Sequence, residues 1–232
     1  MMREGTIPVL NVKKSAPDEI DENVQASWQS VQDEHEKLSL NPIIGMHRTP
    51  RKTLETIYRV EYPMLWPVLL MAAAGISHSL NQFISQVSYS YSNLLESIAV
   101  GALSGIVVGL LLSFLIVYIG RMFGGTAGYR KLFIAWGWSC APSAFLLIIW
   151  AFRFALVGPE FFSNEPVNST SGGLLDRGLI YLTLASVVFM IWQMVLTVIA
   201  VSTAHEFRKL YAIGTLIIVF SVIAGGLIGI GL

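Results

Sequence analysis

The sequence predicts an all-α, polytopic membrane protein with five spanning helices. Three observations carry that prediction. Of 232 residues, 54% are hydrophobic and only 13% charged, about half the charged share usual in soluble domains. Five runs reach the length of about 20 mostly apolar residues that a spanning helix needs. The basic residues fall in alternate connections between those runs. A backbone in hydrocarbon must satisfy its own polar groups, so each run is read as a helix.

The runs are 62–79, 97–119, 132–157, 178–200 and 210–231. Arg48, Arg51, Lys52 and Arg59 precede the first. Arg121, Arg130 and Lys131 separate the second from the third, and Arg208 and Lys209 the fourth from the fifth. The other two connections hold only Arg177, beside Glu96, Glu160, Glu165 and Asp176. Lys and Arg concentrate in cytoplasmic loops, which predicts a cytoplasmic N-terminus and an external C-terminus in a cell inner membrane. Tyr62, Trp66, Tyr118, Tyr129, Tyr181 and Tyr211 fall near the run ends, as interfacial aromatics do.

Residues 1–46 form a cytoplasmic arm with eight acids and four bases, and 47–232 the membrane domain. No apolar run lies near Met1, so no cleavable signal peptide is expected. Ile20, Val24, Trp28, Val31 and Leu38 recur at helical spacing, with Ser15 and Asp18 as a capping box, giving an amphipathic helix over about 16–38. It is acidic, so anionic lipid repels it. Val24, Trp28 and Val31 are therefore assigned to contact with protein. A second helix, about 50–60, has Thr49 at its cap and Pro50 in its first turn. Leu54, Ile57 and Tyr58 share one face, and Arg51, Lys52 and Arg59 lie off it, the pattern of a helix on the inner leaflet. Arg130 and Lys131 are read as further interfacial anchors.

Gly101, Gly105 and Gly109 recur every fourth residue in the second run, and Gly225 and Gly229 in the fifth. Small residues at this spacing let helices approach closely. The partner is another span of this chain or another subunit, and Gly101, Gly105 and Gly109 join the partner-contact candidates. Arg153 lies near the end of its run and can snorkel. Gln193, in mid-span, is read as a hydrogen-bonding group between helices.

Chemistry finds little support. GRMFGGTAGYRK, 120–131, lacks the GxxxxGK[ST] pattern and a preceding strand, and is read as a tight turn between spans. His205-Glu206 lacks the second histidine of HExxH, no G-x-S-x-G occurs, and the four histidines are scattered. Cys140 is the one cysteine and sits in an apolar run. No catalytic residue, cofactor or metal site is assigned, and no nucleic acid is expected as a partner.

Three stretches together resemble the bacterial Yip-domain (Ypt-interacting protein) membrane family. They are NPIIGMHRTPRKTLETI from Asn41, FGGTAGYRKLFIAWGWSCAPSAF from Phe123 and VSTAHEFRKLYAIG from Val201. The resemblance covers about 41–225. It implies a small all-helical membrane domain without catalytic residues. Eukaryotic relatives bind Rab-type GTPases, and some bacterial ones look like partners of ABC-type efflux permeases. The acidic-Leu-Tyr-Gly-Pro motif of the eukaryotic branch is missing here, with only Gly158-Pro159 to echo it, so Rab binding is not carried over. The expected function is a non-enzymatic accessory protein of a larger membrane machine, an ABC-type exporter being the class implied. The alternatives are a small transporter or channel lined by Gln193 and Ser186, and a lipid-binding, membrane-shaping protein.

Overall fold

The computed structural model describes residue 24 and residues 42–60, 62–83, 91–157 and 174–230. The chain divides into two compact units, 1–41 and 42–232. In the first, Val24 is helical and exposed. Trp28, Val31 and the rest of the predicted 16–38 helix lie outside the described residues.

The second unit is helical throughout its described secondary structure: α1 (Pro42–Arg48), α2 (Pro50–Arg59), α3 (Leu65–Phe83), α4 (Tyr91–Met122), α5 (Tyr129–Ser139), α6 (Ala141–Val157), α7 (Leu174–His205) and α8 (Lys209–Ile230). Four stretches are long and apolar enough to cross a membrane: 92–122, 129–156, 180–205 and 209–226. The first predicted span corresponds to α3, 19 residues long. Its C-terminal end carries His78, Asn81 and Gln82, which dilute its apolar character.

α5 is the centre of the bundle. It packs on α2, α3, α4 and α7 and buries Leu132, Phe133, Ile134, Ala135 and Trp138. The sequence reads 132–157 as one helix, but the structure breaks it at Cys140. Pro142 supplies the reason: proline has no N–H to donate and its ring clashes with the carbonyl four residues back. The Cys140 N–H turns to the Gly137 carbonyl at 3.1 Å, and the Ser143 N–H to Cys140 at 2.9 Å.

The α4 glycines meet α3 of the same chain. A Cβ on Gly105 would collide with the Met71 carbonyl and come within 2.8 Å of the Gly75 Cα. One on Gly101 would lie 2.8 Å from the Ser79 Cβ, and one on Gly109 2.5 Å from the Met71 sulfur. Glycine removes those Cβ atoms and lets two backbones touch.

Polar groups between spans are paired across helices. The Ser143 hydroxyl donates to Gln193 Oε1 at 2.8 Å, and the Ser77 hydroxyl reaches the Ser143 carbonyl at 3.2 Å. Gln193 thus joins α7 to α6, as its mid-span position predicts. Ser186 returns its hydroxyl to Leu182 of its own helix. Arg153 departs from the expected snorkelling. It is 9% exposed, donates to the Thr183 hydroxyl at 2.9 Å and sits over the Trp150 ring.

Candidate functional site: a cationic cleft where the connections meet

Two connections far apart in sequence interlock at one end of the bundle. α4 ends in a turn whose N–H groups point back along the helix: Gly124 to Arg121 at 3.0 Å and Gly125 to Gly120 at 2.9 Å. Gly124 has φ of +82°. This is the Schellman closure, which needs a left-handed residue at that point. α7 ends the same way. Phe207 N–H bonds the Ser202 carbonyl at 3.2 Å, and Glu206 takes the left-handed position with φ of +61°.

His205 locks the two turns together. Its carbonyl accepts from the Thr126 N–H and the Thr126 hydroxyl, both at 3.3 Å. Its Nδ1 accepts from the Ala127 N–H at 3.4 Å, which assigns the ring proton to Nε2. The imidazole is 1% exposed, stacked on Phe207 at 5.0 Å between centroids. Gly120 and Gly125 leave room for it, since a Cβ on either would run into the ring. The histidine of the His-Glu pair is thus a structural core residue. Among the described residues, no three His, Cys, Asp or Glu side chains gather as a metal site.

Beside this lock lies a cleft of about 970 Å³ between α2, α5, α7 and the start of α8. Its walls carry Arg51, Lys52, Lys131, Arg208 and Lys209, with Glu55 and Glu206 as the only carboxylates among the described residues. Lys131 Nζ bonds Glu206 at 2.6 Å and stands over the Tyr58 ring at 5.4 Å. That lysine holds the Glu206 carboxyl below the usual carboxylate range, by hydrogen bond first and by charge second. Arg51 pairs with Glu55 on its own helix at 2.9 Å. Burial drives the Tyr58 hydroxyl well above the ordinary phenol range.

The apolar face of α2 is covered by protein. Leu54 and Ile57 are 0% exposed, packed against α5 and α7. A face already closed by protein has no apolar surface left to sink into a leaflet. Arg51, Lys52 and Arg59 do lie on the exposed side, but Arg51 and Lys52 form a cleft wall. Lys131, read as a membrane anchor, forms the opposite wall; its neighbour Arg130 is exposed. Thr49 occupies the cap position of α2 without a side-chain capping bond, and Pro50 opens the helix as expected. Five of the six interfacial aromatics are exposed; Tyr62 instead packs edge-on against Trp138 at 5.6 Å. The cleft was not visible in the sequence, because its residues come from stretches about 70 to 160 positions apart. The one signal was the clustering of bases in those connections.

A chain helical throughout its described secondary structure, with apolar spans, glycine seams and polar connections gathered at one end, is a multi-pass membrane protein without an evident catalytic constellation among the described residues. The Yip1 domain matches residues 44–230, and the chain belongs to that family. No curated protein and no solved structure matched the chain significantly.

Proposed function

We propose that this protein is a non-enzymatic accessory subunit of the cell inner membrane, with five spans, its N-terminal arm and cationic cleft on the cytoplasmic side, and its C-terminus outside. The observation that supports the reading is the combination of a catalytically bare polar cleft with broad apolar faces. On α7, Ile180, Leu184, Val188, Ile191 and Met194 are all exposed along the helix. Such faces suit lipid and the spans of a partner protein. α3 completes the five spans, its 19 residues covering about 28 Å at the helical rise, close to a hydrocarbon thickness. The partner class we favour is a larger transport machine of the ABC-exporter type, met by the spans and by Val24, Trp28 and Val31 on the arm. Gly101, Gly105 and Gly109 contribute by holding α3 against α4.

The test is a gentle detergent pull-down of the tagged chain from its native membranes, with mass spectrometry of what accompanies it. A stoichiometric permease or ATPase that Trp28→Asp releases supports the accessory reading. Recovery of the chain alone, with solute flux in liposomes, would replace it with the transporter reading.

A further inference from the structure

We propose that the cleft between α2, α5, α7 and α8 binds a phosphomonoester group, and that Glu206 stands in for that anion when the cleft is empty.

The first argument is a sign conflict. Three helices begin at the cleft: α2 with Pro50, α5 with Tyr129 and α8 with Lys209. The N-terminal end of a helix carries partial positive charge and favours carboxylates in its first turn. None of the three has an acid there. They carry Arg51 and Lys52, Arg130 and Lys131, and Lys209 instead. α2 and α5 also lack a side-chain capping bond. Positive side chains thus stand on positive helix ends around one cavity, an arrangement that an anion relieves.

Charge counting points to more than one negative charge. Glu55 answers Arg51, and Glu206 answers Lys131. Lys52, Arg208 and Lys209 also line the cleft and have no ion pair among the described residues. A phosphomonoester offers up to two charges and three acceptor oxygens, enough to bridge several of these groups.

A buried donor supplies a second, independent indication. Thr203 lines the cleft, is 9% exposed, and its hydroxyl has no partner among the described residues. Thr53, Thr197 and Thr215 all return their hydroxyls to the preceding turn. Thr203 does not, so the wall holds a polar group without internal satisfaction, which is costly unless something answers it.

Glu206 is the residue out of place. It occupies a left-handed position that suits glycine, while its carboxylate reaches across to Lys131. A carboxylate in a cleft lined by five bases is a poor mimic of a phosphate, with one charge and two oxygens. An incoming phosphomonoester therefore displaces it from Lys131 and draws Arg208 and Lys209 inward.

The experiment uses the purified full chain. In detergent, inorganic phosphate is titrated against chloride at matched ionic strength, read by calorimetry and by melting temperature. In nanodiscs, phosphatidic acid, a monoester, is set against phosphatidylglycerol, a diester, and retained lipid is read by native mass spectrometry. Arg208→Gln and Lys209→Gln alter exposed side chains and are expected to weaken binding about tenfold each, as loss of a charge-assisted bond does. Glu206→Gln is expected to tighten binding by about threefold or more by removing the competitor. Retention of phosphatidic acid over phosphatidylglycerol identifies a lipid headgroup. Phosphate binding without lipid preference identifies a soluble phosphate compound. No binding in either arm, or binding indifferent to Arg208→Gln and Lys209→Gln, overturns the site. Unchanged or weaker affinity in Glu206→Gln overturns the stand-in role.

Discussion

The ends of α4 and α7 close with the same backbone turn, yet one places Gly124 and the other Glu206 at the left-handed position. Gly124 has no Cβ and takes φ of +82° at no steric cost. Glu206 adopts φ of +61° at about 1–3 kcal/mol, the usual strain of a side chain in that region. The difference is what each turn has to hold. Beyond Gly124 the chain only needs to reverse, and glycine serves. Beyond Glu206 the chain must also present a carboxylate to Lys131, and glycine would leave that ammonium unanswered. Breaks in local preference that persist mark places where a side chain has a task.

The comparison can be broken most severely at the ring both turns share. His205→Ala empties the space between them and removes the acceptor for Ala127, so about 3 kcal/mol of stability should be lost, in the range for large core truncations. Thermal unfolding in detergent measures it, and an unchanged midpoint would refute the lock. Gly125→Ala forces a methyl into the same ring and should lose about 1–3 kcal/mol by overpacking. Gly124→Ala tests the unburdened turn. Nothing lies near its absent Cβ, so only backbone strain is added, about 1–2 kcal/mol.

Glu206→Gly is the sharpest test because the two turns then match. Relief of strain outweighs an exposed ion pair, whose contribution solvent screens to little, so the variant should melt at or slightly above the parent temperature. A clear drop would mean that the ion pair, not the backbone, governs this turn. The smallest effect is on acidification. Glu206 has a folded pKa depressed by Lys131, so its contribution is complete above the normal glutamate range and is lost only as pH falls through the depressed value. The parent and Glu206→Gln should therefore diverge in stability near neutrality and converge in strong acid. Raised salt should reduce the gap, since both side chains are part-exposed.

The two turns also show what the sequence could disclose. Residues 120–131 read as a tight turn because glycines advertise it, and the Gly101, Gly105, Gly109 row reads as a seam because its spacing is helical. The AHEF turn, 204–207, carries no such sign, since a glutamate at the left-handed position looks like any helical glutamate. The same logic explains α2. Amphipathicity states that a helix has an apolar face, but not whether lipid or protein covers it. Arg153 near a span end suggests escape to water, and only the positions of Trp150 and Thr183 reveal a berth inside. The cleft needs three chain segments in register, which depends on how α5 threads the bundle rather than on any local pattern.

α4 and α7 are each 32 residues long, which at the helical rise is about 48 Å against a hydrocarbon layer of about 30 Å. Such rods must lean steeply or extend beyond the acyl chains. Both run into the locked turns at the cleft end, so a change in lean would carry the whole cationic rim up or down relative to the headgroups. Bilayer thickness thereby becomes a variable to which this protein is mechanically exposed. Reconstitution in short-chain and long-chain lipids would present the same cleft at different depths.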